Sequence, residues 1–562
     1  MTTKSPNCKK VITKSPNFPN CKKVITKSPN KVTTKNCKKV ITKLPNSKKV
    51  ITKSPNCVRI RHSPPLLPSQ VEQAYKQYIK DTVKLFDASG PDALEFAALL
   101  YHYESRIAEI TPSESVLRDP LSSNHLISVG ELSQIARSVP WLDLLRTIFP
   151  NSKLDHRTDV LVVSREYFSD LSELISTTDR SLLNNYLIFS FVTAFMPYLS
   201  ADNKRVLDLY HREFTGVQEP MERWEFCIQT TNKFFSFGLG SLYERSPARL
   251  RVRQRNDYVL HKIFNQIRYT FANNLANSRW YPLEVKAQLT SKLNNMTLAV
   301  GYPNRLLDLG VINAYYEDYT IFIKDFFQNL QDSIRNAQRQ LEMKLIEPMP
   351  ESKWMDALSE ESVSYIHEAN KIVIPPHLLN PPLFHRNYPM AMLYGSLGVQ
   401  IARAMLRAVD SVGLAWNSRG LWTTFEDWPA ATMEVSREKD AVVKRTAYDT
   451  ASEVDAVRQT YQVGVRGLLQ QAYVSLMHHQ PQPQHPSFEN FNTTNIFFMA
   501  YAGSLCSDMT DEEKDIHRTC FSSLIDKPKL EAVLTQLPEF SKDFSCPKDS
   551  YHFPKRLCAQ FH

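Results

Sequence analysis

The stretch GVQIARAMLRAVDSVG, residues 398–413, holds two arginines whose spacing carries chemistry. Arg403 and Arg407 stand four apart, which puts both guanidiniums on one face of a helix. Leu397, Ile401, Met405 and Val409 recur one turn apart, so the spacing predicts a helix from Gly398 onward with its other side in the core. A guanidinium stays charged, offers five N–H donors and has no lone pair for a metal. A pair of them suits a carboxylate gripped in a bidentate fork. Otherwise acidic or carbonyl groups must hold the pair, because enclosed unpaired charge is costly. Asp410, three residues beyond Arg407, is the nearest candidate, and Glu426 or Asp427 can serve Arg403 if the chain folds back.

Other clusters are weaker. RSPARLRVRQR places arginines at Arg245, Arg249, Arg251, Arg253 and Arg255. This run can dock an anionic partner such as a sulphated glycan or nucleic acid, or it is a solvated helix start. HHQPQPQHP holds His478, His479 and His485 without a Cys or acid at ligand spacing, and it reads as a solvated loop. Sequons for N-glycosylation occur at Asn295 and Asn492.

The elements that must position these residues are mostly helical. The chain has 562 residues, 42% hydrophobic and 11% aromatic, enough for two to four domains with a substantial core. Only 14 glycines lean the composition towards helix. In DALEFAALLYHYESRIAEI, Phe96, Leu99, Tyr103 and Ile107 line one side; in YVLHKIFNQIRYTFANNL, Leu260, Phe264, Ile267 and Phe271 do. DVLVVSREY (159–167) reads as a strand or extended segment, and NKIVIPPHLLNPPLF (370–384) as a strand entering a Pro-rich loop. LLNNYLIFSFVTAFMPYL (182–199) is long enough to tempt a membrane assignment, but two Asn and a Pro favour a buried core helix. No secretory signal is expected at the start of the sequence.

The net charge of +10 hides two parts. Residues 1–62 hold 15 Lys and 2 Arg and no acid, so the 68 basic residues less these 17 leave 51 against 58 acidic ones, a net of −7. The basic part is a repeat near ten residues long, opening as TKSPNCKKVI at 3–12. Its Pro and Lys content cannot bury enough surface to offset ordering entropy, so it is expected to be disordered. It reads as an expanded simple repeat or a mis-joined segment, and alternatively as a polycation for nucleic acid or acidic membranes. No nucleic-acid-binding domain is evident. SPPLLPSQ (63–70) reads as a linker.

Several blocks together resemble a known family: TTDRSLLNNYLIF (177–189), RWEFC (223–227), GYPN (301–304), IVIPPHLLNPPLF (372–384) and PEFSKDFSCPKDSYHFPKRLC (538–558). In order and spacing they are similar to the neprilysin and endothelin-converting-enzyme family of zinc metallopeptidases, from about Ala74 to the C-terminus. The resemblance implies a mainly α fold with a smaller α/β part. It implies repeats over 1–62, a large helical domain over 63–350 that is incomplete at its start, and a thermolysin-like peptidase domain over 351–562. It also implies a plasma-membrane or extracellular setting.

The family places its H-E-x-x-H zinc helix on the opening stretch. That motif works because two His at i and i+4 ligate Zn²⁺ and the intervening Glu is general base for the bound water. Here Arg403 and Arg407 stand at the His positions and Ala404 at the Glu, while Asp410 persists. Tyr461 takes the place of the third ligand, a Glu, and Val465 that of the Asp orienting a His. The substrate-clamping N-A-Y-Y strand has become SVSY, with Ser362 and Val363 for Asn and Ala, followed by Ser364 and Tyr365. No His appears in CFSSLIDKPKL, where the family keeps a transition-state His. Cys227, Cys506, Cys546 and Cys558 match family half-cystines without their usual partners, and Cys520 is extra.

The expectation is therefore a pseudopeptidase: no zinc, no catalytic residue, and a retained chamber that binds a peptide or protein without cutting it. Three readings compete with it: a decayed or mis-joined gene product without independent function, a peptidase with a relocated metal site, and a nucleic-acid binder driven by its tail.

Overall fold

The computed structural model describes residues 69–546, except for 113–123, 278–282, 347–361, 410, 415, 422–471, 478–490, 507, 515–529, 531–533 and 535–536. The repeat segment 1–62 lies outside the described residues. The chain divides into two compact units, one holding the described residues of 69–234, 315–348 and 509–521, the other those of 235–314, 349–508 and 522–562. These units interleave along the sequence instead of meeting at 350. Residues 235–314 fold with the later block because their helices and a strand supply its core. The expected mainly α fold with a small sheet is what the chain adopts.

In the first unit four helices build the main core. They are α1 (Ser69–Lys84), α2 (Gly90–Ile110), α3 (Arg180–Phe195) and α4 (Ala201–Thr215). The starts of α2, α3 and α4 are written locally. Ser89 accepts from the Asp92 amide, Asp179 from those of Ser181 and Leu182, and Ser200 from that of Asn203, so side chains satisfy helix-end donors. The core joins Tyr75, Tyr78, Ile79, Leu100, Phe189 and Met196 with Tyr210. Tyr78 stacks on Tyr210 with ring centroids 5.1 Å apart.

The buried face of α2 differs from the expected stripe. Ala93, Ala97, Leu100, Glu104 and Ala108 face inward and Leu99 is 47% exposed. Small alanines let neighbouring helices approach, and the bulkier row is rotated outward; of that row only Tyr103 is fully buried. The 182–199 segment becomes α3 and a 3₁₀ turn, with Phe189 and Met196 in the core. Among the described residues no single helix is long and apolar enough to cross a membrane, although α3 with its turn and α4, bent by 101°, pass that test as a pair. Residues 159–163 are a strand, as expected. This strand β2 (Asp159–Val163) pairs antiparallel with β1 (Asn124–Ser128), setting Leu126 opposite Leu161.

The second unit is organised by α5 (Pro247–Asn277), α6 (Leu283–Asn294) and a sheet ordered β3-β5-β4. Strand β3 (Thr297–Val300) is parallel to β5 (Lys371–Ile374), and β4 (Ser364–Ile366) is antiparallel to β5. Central β5 is an unbroken apolar run whose Ile372, Val373 and Ile374 are wholly buried, as a strand covered on both faces requires. The expected stripe of α5 holds: Leu260, Phe264, Ile267 and Phe271 are all buried.

Ahead of the arginine stretch the chain enters at Met390–Leu393 and makes a π turn at Tyr394–Gly398 before α7 (Val399–Leu406). Helix α8 (Thr493–Gly503), started by an Asn492–Asn495 capping box, crosses this turn closely. A Cβ on Gly395 would meet the Phe497 carbonyl oxygen at 2.2 Å, so only glycine permits that crossing. Gly395→Ala is expected to destabilise the protein by about 1–3 kcal/mol through overpacking against backbone. Gly90→Ala, where the added Cβ meets nothing within 4 Å, should change stability by less than about 0.5 kcal/mol. Denaturant midpoints of the two variants check this contrast.

Candidate functional site

Helix α7 is pinned by its apolar side. Ile401 and Met405 are wholly buried, Ala402 and Ala404 nearly so, and Leu397 and Val409 extend the same face. Arg403 and Arg407 fall on the opposite face and both are exposed. The structure thus brings the two sequence-predicted arginines together on one presented face. Ala404, between them, is 2% exposed and offers no functional group. The regular helix is shorter than its periodicity predicts. It stops at Leu406 and the short helix Ser411–Leu414 follows a turn. Gly413 allows this tight return, since a Cβ there would meet the Arg407 carbonyl oxygen at 2.2 Å.

Beside α7 stands β4 with the turn that follows it. Val363 is buried, Ser362 is exposed, and Tyr365 is partly buried with its hydroxyl donating to Asn370 Oδ1 at 2.8 Å. Asn370 sits in the left-handed region, φ 45°, where a short polar side chain is tolerated. Its amide donates to the carbonyls of Lys292 (2.9 Å) and Ser418 (3.2 Å). Lys292, on α6, is 2% exposed, and its Nζ donates to the carbonyls of Gly413 (2.6 Å) and Trp416 (2.8 Å). One buried ammonium and one amide therefore fasten the segment after α7 to the end of β4.

His367 lies inside this arrangement. Its ring meets Tyr365 edge-on at 4.8 Å and stacks on Trp416 at 6.0 Å. Its Nδ1 is buried and has no hydrogen-bond partner among the described residues. Burial first, then the Lys292 and Arg407 cations, push its pKa down to about 4, against a smaller upward pull from Glu368. His367 is consequently neutral near pH 7.

Neither Lys292 nor His367 was singled out by the sequence. A signal existed for the lysine, because Val285, Leu289, Lys292 and Leu293 form the buried stripe of α6, and a lysine on such a stripe needs a buried partner. His367 had none, since it is one histidine in a short turn.

Asp410, Glu426, Asp427, Tyr461, Val465 and the histidines of 478–485 lie outside the described residues. Arg403 makes no ion pair with any described carboxylate, so the expected acidic grip on that residue is not found among the described residues. Of the 245–255 arginines, Arg245 is exposed, and the side chains of the other four lie outside the described residues. Cys227, Cys506 and Cys546 are unbridged, while Cys520 and Cys558 lie outside the described residues. Asn295 and Asn492 are both exposed. Among the described residues no three His, Cys, Asp or Glu side chains group as metal ligands would.

The sequence matches Peptidase family M13 over residues 66–303, by the N-terminal part of that family, and again over 363–559. The chain belongs to peptidase family M13. This is a family of zinc metalloendopeptidases. Endothelin-converting enzyme-like 1 of Mus musculus is 25% identical over 501 residues, covering 86% of this chain and 63% of the relative. Endothelin-converting enzyme 1 of Homo sapiens is 24% identical over 504 residues, covering 87% and 64%. The chain thus spans less than two thirds of the length of these relatives. Among solved structures, the Mycobacterium tuberculosis zinc metalloprotease ZMP1 in complex with inhibitor superposes with a TM-score of 0.74 at 18% identity, covering 88% of this chain and 75% of that one. PEPO from Lactobacillus rhamnosis HN001 gives 0.71 at 17% identity, covering 87% and 75%. Both establish the fold.

The His367 environment makes a pH prediction. Unfolded, the imidazole takes a proton near pH 6.5; folded, only near 4. Between these values the unfolded chain binds the extra proton, so this residue's contribution lowers stability as pH falls from 6.5 towards 4. Allowing for partial solvent screening, the loss from pH 7 to pH 5 is on the order of 1–2 kcal/mol. His367→Phe keeps a ring between Tyr365 and Trp416 and should remove that share of the pH dependence. Denaturant unfolding of parent and variant at both pH values measures the difference.

Proposed function

We propose that this M13 chain is a pseudopeptidase that binds a peptide or protein partner without hydrolysing it, at the plasma membrane or outside the cell. The observation that carries this reading is the trio Arg403, Ala404 and Arg407 at the H-E-x-x-H positions of the family resemblance. The donor set does not fit Zn²⁺. A guanidinium has no lone pair to give and its charge repels a dication, so the pair opposes the metal instead of merely lacking it. Ala404 cannot accept a proton, and Tyr461 and Val465 replace the remaining ligand and the Asp that orients a ligand. The scaffold around these substitutions is kept in order: α7 is fully packed on one side, and β4 is fixed by Asn370. A framework preserved around a substituted site supports binding as the retained role.

The protein should purify with far less than one Zn²⁺ per chain. Tightly held stoichiometric zinc surviving dialysis against a chelator would overturn the reading. Arg403→His with Ala404→Glu and Arg407→His should still cleave no peptide, since two ligands hold Zn²⁺ poorly and orient water badly. Robust hydrolysis by that triple variant would mean that the third ligand lies elsewhere than position 461.

A further inference from the structure

Helix α5 is fixed by one side and open on the other. Leu260, Ile263, Phe264, Ile267 and Phe271 are buried along its inner side, so the helix cannot roll. Tyr258, Lys262, Asn265 and Tyr269 are exposed, the two tyrosines at 71% and 64%. Their positions advance by four, three and four residues, which sets them in one line along the helix, roughly 16 Å from first to last. Arg268 is not part of this line, since its guanidinium donates to the carbonyls of Asn294 and Met296.

The charge of the helix is one-sided. Its 31 residues hold Arg249, Arg251, Arg253, Arg255, Lys262 and Arg268 against a single acid, Asp257. Residues 63–562 together carry a net −7, so α5 is a cationic island on an acidic body. By backbone register, positions 251 and 255 continue the line of 258, 262, 265 and 269 towards the helix start. Lys262 forms no ion pair with any described carboxylate. Tyr258, Lys262 and Asn265, with His261 and Gln266, border an open concavity of about 410 Å³. That volume falls in the roughly 300–1,000 Å³ range of ligand-sized clefts and exceeds what a single ion needs.

We infer that this face of α5 docks a linear sulphated glycan, a chain of sugar rings carrying sulphates at intervals. Cations spaced one to two turns apart suit anions spread along a chain. The flat tyrosine faces pack against sugar rings, and the amides of Asn265 and Gln266 donate to and accept from hydroxyls. None of the four exposed positions is aliphatic, so the face offers a lipid bilayer little to bury. Single-stranded nucleic acid also combines backbone charge with stacking on aromatic rings. The setting outside the cell proposed above favours the glycan, and the inference rests on that part of the reading.

The lysine-rich segment 1–62 attracts polyanions by charge alone, so the readouts must report on α5. The full chain is titrated with a heparin decasaccharide, the same decasaccharide chemically desulphated, and a single-stranded DNA of equal charge. Melting temperature and protection of Lys262 from an amine-reactive label, read by peptide mass, are followed together. The sulphated decasaccharide is expected to protect Lys262 and to raise the melting temperature, because a ligand of the folded helix stabilises the folded chain. The desulphated form should bind about 10–100-fold more weakly. Lys262→Gln should weaken binding about 3–10-fold and flatten its dependence on salt. Tyr258→Ala with Tyr269→Ala should weaken it about 5–50-fold with the salt dependence unchanged, the mark of stacking instead of charge. All three positions are exposed, so these variants are expected to fold, and an unchanged melting temperature without probe checks that. If Lys262 stays reactive under saturating heparin decasaccharide, or the variants bind as the parent does, the binding lies elsewhere and the inference is wrong. Equal binding of the desulphated form, or equal protection of Lys262 by the DNA, would overturn the assignment to a sulphated glycan. None of these results bears on zinc content or hydrolysis, so the pseudopeptidase reading stands or falls separately.

Discussion

The ammonium of Lys292 is the constraint around which the second unit is arranged. It is 2% exposed, and an isolated buried ammonium costs several kcal/mol unless polar groups surround it. Here the Gly413 and Trp416 carbonyls supply that surrounding. Those carbonyls belong to the segment leaving α7, so the cation fixes where the arginine helix must end. Its own backbone carbonyl accepts from Asn370, which in turn holds Tyr365 and Ser418. Helix α6, strand β4 and the exit of α7 are therefore tied by one charge and one amide. The aromatic setting of His367 follows from the same tie, because Tyr365 and Trp416 are the rings that those bonds position.

Much of this was legible in the sequence where periodicity and burial coincide. The stripes Leu260–Phe271 and Leu397–Val409 are buried as their spacing predicts, and the placement of both arginines on one face follows from the same periodicity. Helix α2 shows where such reading slips. Its larger apolar residues include Leu99, yet the alanine row faces the core, because close helix approach favours small side chains over bulk. The end of α7 was also misjudged. Apolar spacing continues through Val409, but the chain turns after Leu406, and the return past Gly413 is a backbone contact that no side-chain pattern encodes. The role of His367 is made by tertiary neighbours from three segments, so no local pattern could announce it.

Family and chemistry separate cleanly in this molecule. Core stripes, caps and close crossings hold the M13 fold at 17–18% identity to the solved zinc metalloproteases it superposes on. None of those features needs Arg403 or Arg407, which project from the exposed face of one short helix. A scaffold can keep its packing while positions on that face change, since exposed substitutions on a helix cost little stability. The face then reports the demand placed on it independently of the fold.

That demand can be read from the sign of the local charge. A dication site needs lone pairs and a field that welcomes positive charge. The exposed face of α7 carries two guanidiniums, and the second unit also holds a buried ammonium and an imidazole kept unprotonated. Repulsion between like charges on adjacent turns is a standing cost, a few tenths of a kcal/mol when exposed. It grows if a ligand closes over the pair and excludes water, unless that ligand carries negative charge of its own. The same electrostatics disfavours a dication on that face. A helix fixed on its buried side can therefore hold two guanidiniums on its exposed face without rearranging.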